Sequence, residues 1–257
     1  MTSGPTLIRS RDNALLKELR KIAQDSTAYR KTGRYWVEGD HLCRAALVRK
    51  VQPEVAVFAE SFWATAGHEW AGCATRIAVV ADPLFGDLSA LESPAKMGFV
   101  LGLPQSCDVK PKVNSVILDR VQDAGNVGSI LRSAAAFGFQ QVLALKGSAA
   151  LWSPKVLRAG MGAHFGLNLI EGLEPDAVES LEIPLVVTSS HQGQWVQDLN
   201  LSGPCAWVMG HEGQGVSPAL CARANHFVRI GQPGGEESLN VAAAAAICLH
   251  ASSLRPL

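Results

Sequence analysis

Three stretches of the chain bring glycine together with side chains that can donate, accept or carry charge. The first runs from Asp119 to Arg132 (DRVQDAGNVGSILR). Gly125 permits a turn there and Gly128 permits close packing of a helix. Asn126 offers both an amide donor and an acceptor, although at a helix start the same side chain can simply cap the backbone. Arg132 falls about two turns into that helix, where an arginine is more often a surface charge than a chemical group. The second stretch, Trp207–Pro218 (WVMGHEGQGVSP), sets one acid, Glu212, among Gly210, Gly213 and Gly215. Glycines let backbone groups come close to a ligand. A tight turn between strand and helix would account for the glycines but not for the acid between them. Ser217 and Pro218 read as an N-cap with proline at the first helical position. The third stretch, Ile230–Val241 (IGQPGGEESLNV), ends in Ser238, Leu239 and Asn240 just before the run Ala242–Ala246. Ser238 can serve as a plain N-cap, and the alanines allow close backbone packing in a crowded interior or at a helix–helix interface.

Other chemistries lack their residues. There is no Walker A sequence, no GxGxxG in the first strand–helix turn and no GxSxG elbow. His164, His191 and His211 have no metal-ligand spacing and read as structural or surface residues. The six cysteines are scattered without a CxxC pair, the pattern of buried, reduced thiols rather than of zinc or a disulfide framework. No metal is expected.

The elements that must position the three stretches follow from the apolar runs. In the second half, strands are expected at Ser115–Leu118, Gln141–Leu145, Leu167–Ile170, Leu185–Thr188, Ala206–Met209 and Phe227–Ile230, alternating with helical patterns. That alternation indicates a mostly parallel sheet covered on both faces. All three stretches then follow strands, at the carboxyl ends where ligands gather in such folds. In the first half, Leu15, Leu16, Leu19, Ile22 and Ala23 recur at helical spacing, with Ser10 or Asp12 as the expected cap. Strands are expected at Tyr35–Glu38, Val55–Ala59, Ile77–Val80 and Gly98–Leu103, with a helix at His41–Arg49. Two α/β units result, residues 1–103 and 113–257, joined by a linker at 104–112 that contains Pro104 and Pro111.

The formal net charge is zero, but residues 1–34 hold eight basic residues against three acidic ones, a surplus of five. Lys17, Arg20 and Lys21 fall away from the apolar stripe of the first helix, and Arg30 and Lys31 follow. The cluster is either an ordinary solvated face or a surface for phosphates. With 47% apolar and 18% charged residues the chain is a well-stocked globular protein rather than a disordered one. No run approaches a membrane span and no secretory leader is evident, so a cytoplasmic protein with no membrane partner is expected.

Taken together and in this order, the three stretches resemble the signature motifs of the SpoU/TrmH family of SPOUT methyltransferases. The pattern N-x-G-x-x-x-R is met by Asn126, Gly128 and Arg132. G-x-E-G-x-G is met by Gly210, Glu212, Gly213 and Gly215, and S-L-N by Ser238, Leu239 and Asn240. Ser153–Ala163 is also similar to family members. Residues Tyr29–Lys31, Val37–Gly39 and Ala45 resemble the L30e-like substrate-binding domain of the ribosomal-RNA branch. Two departures stand out: Ala124 and Gly231 occupy places where the family often has proline.

The resemblance implies a SPOUT domain with a C-terminal trefoil knot, preceded by a smaller L30e-like α/β domain. It implies a homodimer that moves a methyl group from S-adenosylmethionine to a ribose 2'-hydroxyl, in ribosomal rather than transfer RNA. A transfer-RNA enzyme, or a non-catalytic RNA-binding protein of the same fold, is the alternative. By the same resemblance Arg132 is catalytic, with Asn126, Glu212, Ser238 and Asn240 orienting it and the ribose. Gly210, Ile230 and Leu239 hold the cofactor, with Thr188 as a further contact. Lys17, Arg20, Lys21, Arg30 and Lys31 face RNA.

Overall fold

The computed structural model describes residues 4–89, 94–105, 108–190, 192–201, 203–234 and 238–253. Cys107, His191 and the acidic end of the third loop, 235–237, lie outside the described residues. By internal contacts the chain falls into two units, one running to Gln105 and including Trp152–Phe165, the other formed by Ser106–Leu151 and Gly166–Leu257.

The first unit is built on a five-stranded sheet. Its strands are β1 (Thr6–Ile8), β2 (Arg34–Glu38), β3 (Val55–Ala59), β4 (Arg76–Val80) and β5 (Met97–Gly102). They lie in the order β1-β4-β3-β5-β2, with β1, β4 and β3 mutually parallel and β5 antiparallel to both its neighbours. The helix Ala14–Gln24 buries Leu15, Leu16, Leu19, Ile22 and Ala23, the stripe read from the sequence. Burying each leucine stabilises the fold by about 1.5–3 kcal/mol. The cap differs from expectation: Asn13, not Ser10 or Asp12, accepts from the Leu15 N–H at 2.9 Å. Asp12 instead pairs with Lys17 at 2.9 Å. Strand β1 and the helices Glu60–Ala66 and Asp82–Gly86 were not anticipated. Each is short, and periodicity cannot register in so few residues.

Trp152–Phe165 also departs from a simple division of the chain. Trp152 packs on Tyr35 with ring centroids 4.6 Å apart, and on His164 at 5.3 Å. Gly162 has φ +90°, and a side chain there would meet the Ala45 Cβ at 2.8 Å. These contacts seat the segment on the first unit although the chain on either side belongs to the second. The expected linker is likewise partly structured: Lys110 exchanges hydrogen bonds with the Gln141 amide at 3.0 and 2.7 Å, and the Lys112 N–H donates to Leu181 O at 2.8 Å.

The second unit carries a seven-stranded sheet. Its strands are β6 (Ser115–Asp119), β7 (Gln141–Leu145), β8 (Asn168–Leu173), β9 (Leu185–Thr188), β10 (Gln194–Trp195), β11 (Ala206–Gly210) and β12 (His226–Arg229). The order is β10-β12-β9-β11-β6-β7-β8 and every pairing is parallel. All six expected strands are present; β10 is an addition, two residues long. The helices Ala124–Ala136 and Val241–Ser253 pack on each other, burying Val127, Ile130, Leu131 and Ala134 from one and Ala245, Cys248 and Leu249 from the other. Trp207 Nε1 donates to Ser252 Oγ at 2.8 Å and ties the last helix to β11. The alanine run thus serves an intramolecular helix–helix contact.

The described cysteines are all free. Burial pushes Cys248 up to about 12 and Cys73 up to about 11, so both remain thiols at neutral pH. Among the described residues no helix is long and apolar enough to cross a membrane.

Candidate active site

Because the second sheet is all parallel, its carboxyl ends lie on one side, and the register decides which motifs meet. Gly210 sits opposite Asp119 where β11 pairs with β6, and Thr188 opposite Val228 where β9 pairs with β12. The first and second motifs therefore leave the sheet side by side.

Asp119, the last residue of β6, is buried. One carboxylate oxygen accepts from the Ser217 N–H and the other pairs with Arg120 Nε at 3.1 Å. Arg120 adopts φ 61°, a conformation rare outside glycine. It reaches Gln214 Oε1 at 2.8 Å and Gly215 O at 3.4 Å. The glycine loop is closed on itself: His211 and Gly215 exchange backbone hydrogen bonds at 3.1 and 2.9 Å, and His211 Nδ1 accepts from the Gly213 N–H at 2.9 Å. Gly210 is required here, since a Cβ would lie 2.4 Å from Gly215 C and Val216 N.

The folded loop projects Glu212 onto the first motif. Its carboxylate accepts from the backbone N–H groups of Gln122 (3.2 Å) and Asp123 (3.1 Å) and from Asn126 Nδ2 (3.1 Å). Partial burial by itself would raise the Glu212 carboxyl. Hydrogen bonds from its own N–H, from Asn126 and from the Asp123 and Gln122 N–H groups outweigh that and hold it below its ordinary value. Asn126 is not the cap of its helix: Asp123 caps it, accepting from the Asn126 N–H at 2.8 Å. The Asn126 side chain is left to bridge, donating to Glu212 and accepting from Asn240 Nδ2 at 3.0 Å. Asn240 in turn, rather than Ser238, caps the last helix through Ala242 N (2.9 Å) and Ala243 N (3.2 Å). One side-chain relay, Glu212–Asn126–Asn240, thus joins all three motifs.

Arg132 lies further along the Ala124–Ala136 helix, exposed, and among the described residues it makes no hydrogen bond or ion pair. Ser238 and Leu239 are exposed and outside the relay. Gly210 is buried and Ile230 half-buried. The Thr188 hydroxyl donates to Val208 O at 3.0 Å and so fastens β9 to β11. Among the described residues no group of three or more His, Cys, Asp or Glu could hold a metal.

In the first unit Lys17, Lys21, Arg30 and Lys31 are exposed and Arg20 half-buried. Arg20 donates to Arg11 O at 3.1 Å, and the Arg30 guanidinium lies 5.6 Å from the Tyr29 ring centre. Much of the positive surplus counted along residues 1–34 is offset in space. Arg9 pairs with Glu60 at 2.7 Å, Arg11 with Asp87, and Arg34 with Glu18 at 3.1 Å and Glu54 at 2.7 Å.

Comparison with known proteins matches residues 114–250, more than half of the chain, to the SpoU rRNA Methylase family. The chain belongs to the SpoU rRNA methylase family. The matched segment contains all three motifs and the whole relay. Over 247 residues the chain is 28% identical to 23S rRNA (guanosine(2553)-2'-O)-methyltransferase RlmP of Bacillus subtilis, covering 95% of this chain and 97% of that one. A TrmH-family structure from Porphyromonas gingivalis superposes with TM-score 0.80 at 28% identity, covering 95% and 98% of the two chains. AviRb of Streptomyces viridochromogenes, a SpoU methyltransferase in complex with AdoMet, shares the fold with TM-score 0.82 at 24% identity, covering 94% and 97%. Within the family segment, the motifs assign no role to Asp119 and Arg120, while His211, expected as a structural or surface residue, holds the glycine loop together. Asp119 and Arg120 stand at the head of the first stretch, but their partners Ser217, Gln214 and Gly215 depend on strand register.

Proposed function

We propose that this SpoU-family protein is an S-adenosylmethionine-dependent RNA 2'-O-ribose methyltransferase acting on ribosomal RNA as a homodimer. The observation that carries this reading is the relay from Glu212 through Asn126 to Asn240. It draws the three motif loops to one end of a parallel sheet, where ligands of such folds bind. The loops fit a cofactor. At Gly210 the backbone comes too close for any side chain, and Ser217 Oγ and Gln232 Oε1 are buried polar atoms without a partner among the described residues. Buried groups of that kind find partners in ligands or water. The backbone at Gly210, Ile230 and Leu239 would hold the cofactor, with Thr188 beside them.

Bound S-adenosylmethionine supplies an already activated methyl group. The chain's own task is to place a ribose 2'-hydroxyl in line and manage its proton, and positioning supplies much of the acceleration. A guanidinium stays protonated at neutral pH, so Arg132 does not act as a base. It clamps the phosphate next to the target ribose and stabilises negative charge developing on the 2'-oxygen. The proton leaves to that phosphate or to water. Asn126, Glu212 and Asn240 fix the helix start and loops from which Arg132 and the ribose are oriented, and Ser238, exposed beside Asn240, is left to contact the ribose.

In this reading residues 1–103, the greater part of the first unit, form the L30e-like RNA-recognising domain, with Lys17, Arg20, Lys21, Arg30 and Lys31 facing RNA. The path around β9, β11, β12 and the last helix forms the trefoil knot. The placing of β12 on the far side of β9 from β11, followed by return of the chain to the Ala124–Ala136 helix, supports it. The 23S ribosomal RNA named for RlmP, a relative over nearly the full length, favours ribosomal RNA as the substrate class.

Calorimetry tests the reading. The wild type should bind S-adenosylmethionine and not NAD, and Gly210→Ala should abolish cofactor binding because its methyl collides with the loop backbone. Tight NAD binding without S-adenosylmethionine binding would refute the proposal.

A further inference from the structure

At the edge of the seven-stranded sheet, β10 and β12 set Trp195 opposite Arg229. The carbon of the Arg229 guanidinium lies 3.8 Å from the centre of the Trp195 ring, a stacking contact. The arrangement is built rather than incidental. Gly193, with φ +105°, leads into β10 so close to β12 that a Cβ would lie 2.2 Å from Phe227 O. Only glycine lets this short strand press against its neighbour and bring the two side chains into register. Trp195 remains 38% exposed. Arg229 Nε is shut off from solvent, and among the described residues it has no acceptor and no acid pairs with its charge. Residues 111–257 hold nine basic and eleven acidic residues, so a cation with no acid beside it among the described residues stands against the local trend. Arg229 is the last residue of β12, and the third motif's loop begins at the next residue. A Cβ on Gly231 would pass 3.9 Å from the Trp195 ring.

We propose that Trp195 and Arg229 form a nucleotide seat for the RNA substrate, beside the three-motif site. A base stacks on the exposed part of Trp195, and the Arg229 charge, carried on the other side of the ring system, draws the neighbouring phosphate. The inference rests on the methyltransferase reading for the kind of substrate but uses residues outside the three motifs. Aromatic rings and arginine planes are the usual platforms for unpaired bases, because every base offers a π-face. Tryptophan and arginine also anchor protein interfaces, so a second copy of the chain is the competing occupant. The charge without an acidic partner among the described residues and the position at the carboxyl ends of the strands favour RNA.

The test uses the full chain and a fluorescein-labelled single-stranded RNA 12-mer, with anisotropy read at several salt concentrations. Trp195→Ala should weaken binding roughly 5- to 150-fold, the span of one base–aromatic stack, and Trp195→Phe should restore most of it. Arg229→Gln should lower the salt slope by about one unit. S-adenosylmethionine affinity by calorimetry and mass by light scattering should be unchanged in all three variants. Unaltered RNA affinity in Trp195→Ala overturns the proposal, as does a wild type that binds the cofactor but not the RNA. Loss of cofactor affinity alone would make the pair a brace for the third loop, and loss of dimer mass alone would make it a subunit contact; either result overturns the proposal. A wild type that binds the 12-mer through Trp195 but never binds S-adenosylmethionine would sink the methyltransferase reading and leave the seat standing.

Discussion

Glu212, Asn126 and Asn240 satisfy one another, whereas Arg132, on the same helix as Asn126, is exposed and without a partner among the described residues. The division suits a site in which some polar groups hold the frame and one is free to meet substrate. Arg132→Ala should therefore lose methyl transfer while its S-adenosylmethionine affinity stays within a few-fold of wild type, since the interaction removed belongs to the transition state. Single-turnover kinetics beside calorimetry would check this, and an active variant would remove Arg132 from its assigned role. Glu212 makes a different prediction. Its carboxyl is held below the ordinary value in the folded chain, so its contribution to stability is complete above the unfolded value of about 4.3. It fades only as pH falls through the lower folded value. Solvent screens so exposed a group, and the expected loss in Glu212→Gln at pH 7 is modest, roughly 2–4 °C in Tm, about 1 kcal/mol for a chain of this size. Thermal melts of both proteins from pH 7 to pH 3 should converge at the acid end. A gap that widens with acidification would mean that the carboxylate does not fasten the second motif to the first.

At the level of elements, the first helix shows how a charge count along the chain differs from charge in space. Arg9, Arg11 and Arg34 are paired with acids from elsewhere in their unit, and Lys17 with Asp12. Lys21, in the last turn of the helix, has no such ion pair among the described residues. Replacing Lys17, Arg20 and Lys21 together should weaken RNA binding and flatten its salt dependence by roughly one unit of slope per lost phosphate contact, with cofactor binding intact. Unchanged slopes would return the helix to an ordinary solvated face. The strands were far more legible than the charges. Val55–Ala59 and Gln141–Leu145 match the structure end to end, because strands buried on both faces are nearly continuous apolar runs bounded by turns. What escaped is what depends on distant neighbours. Asn126 reads as a cap until Asp123 is seen to fill that place, and Trp152–Phe165 reads as part of the second unit until Tyr35 and Ala45 are seen beneath it. The three motifs were visible as residue types in order. Their relay was not, since it exists only through the pairing of Gly210 with Asp119 and the folding-back of the His211–Gly215 loop.

For the whole molecule, the last helix carries the sharpest question. Val241–Ser253 (VAAAAAICLHASS) is apolar on nearly every side, and a helix of that kind is normally covered all round. Within the chain it is covered by the Ala124–Ala136 helix and β11, which bury Ala245, Cys248 and Leu249. Ile247 is still 40% exposed, and Ala243 is exposed as well. The close packing that the alanine run allows is therefore partly spent inside the subunit. What remains is a narrower apolar strip on the last helix. A two-fold homodimer, the commonest oligomer, would cover that strip with its own copy. Light scattering at micromolar concentration should give twice the chain mass of 27.3 kDa, and Ile247→Asp should shift the population toward monomer by placing a charge where the two copies meet. Because Ile247 is exposed in the subunit, the substitution should leave the monomer folded and its Tm nearly unchanged at low concentration. A wild-type mass near 27.3 kDa would refute the dimer outright. A dimer unaffected by Ile247→Asp would move the interface off the last helix and leave its apolar strip to another partner.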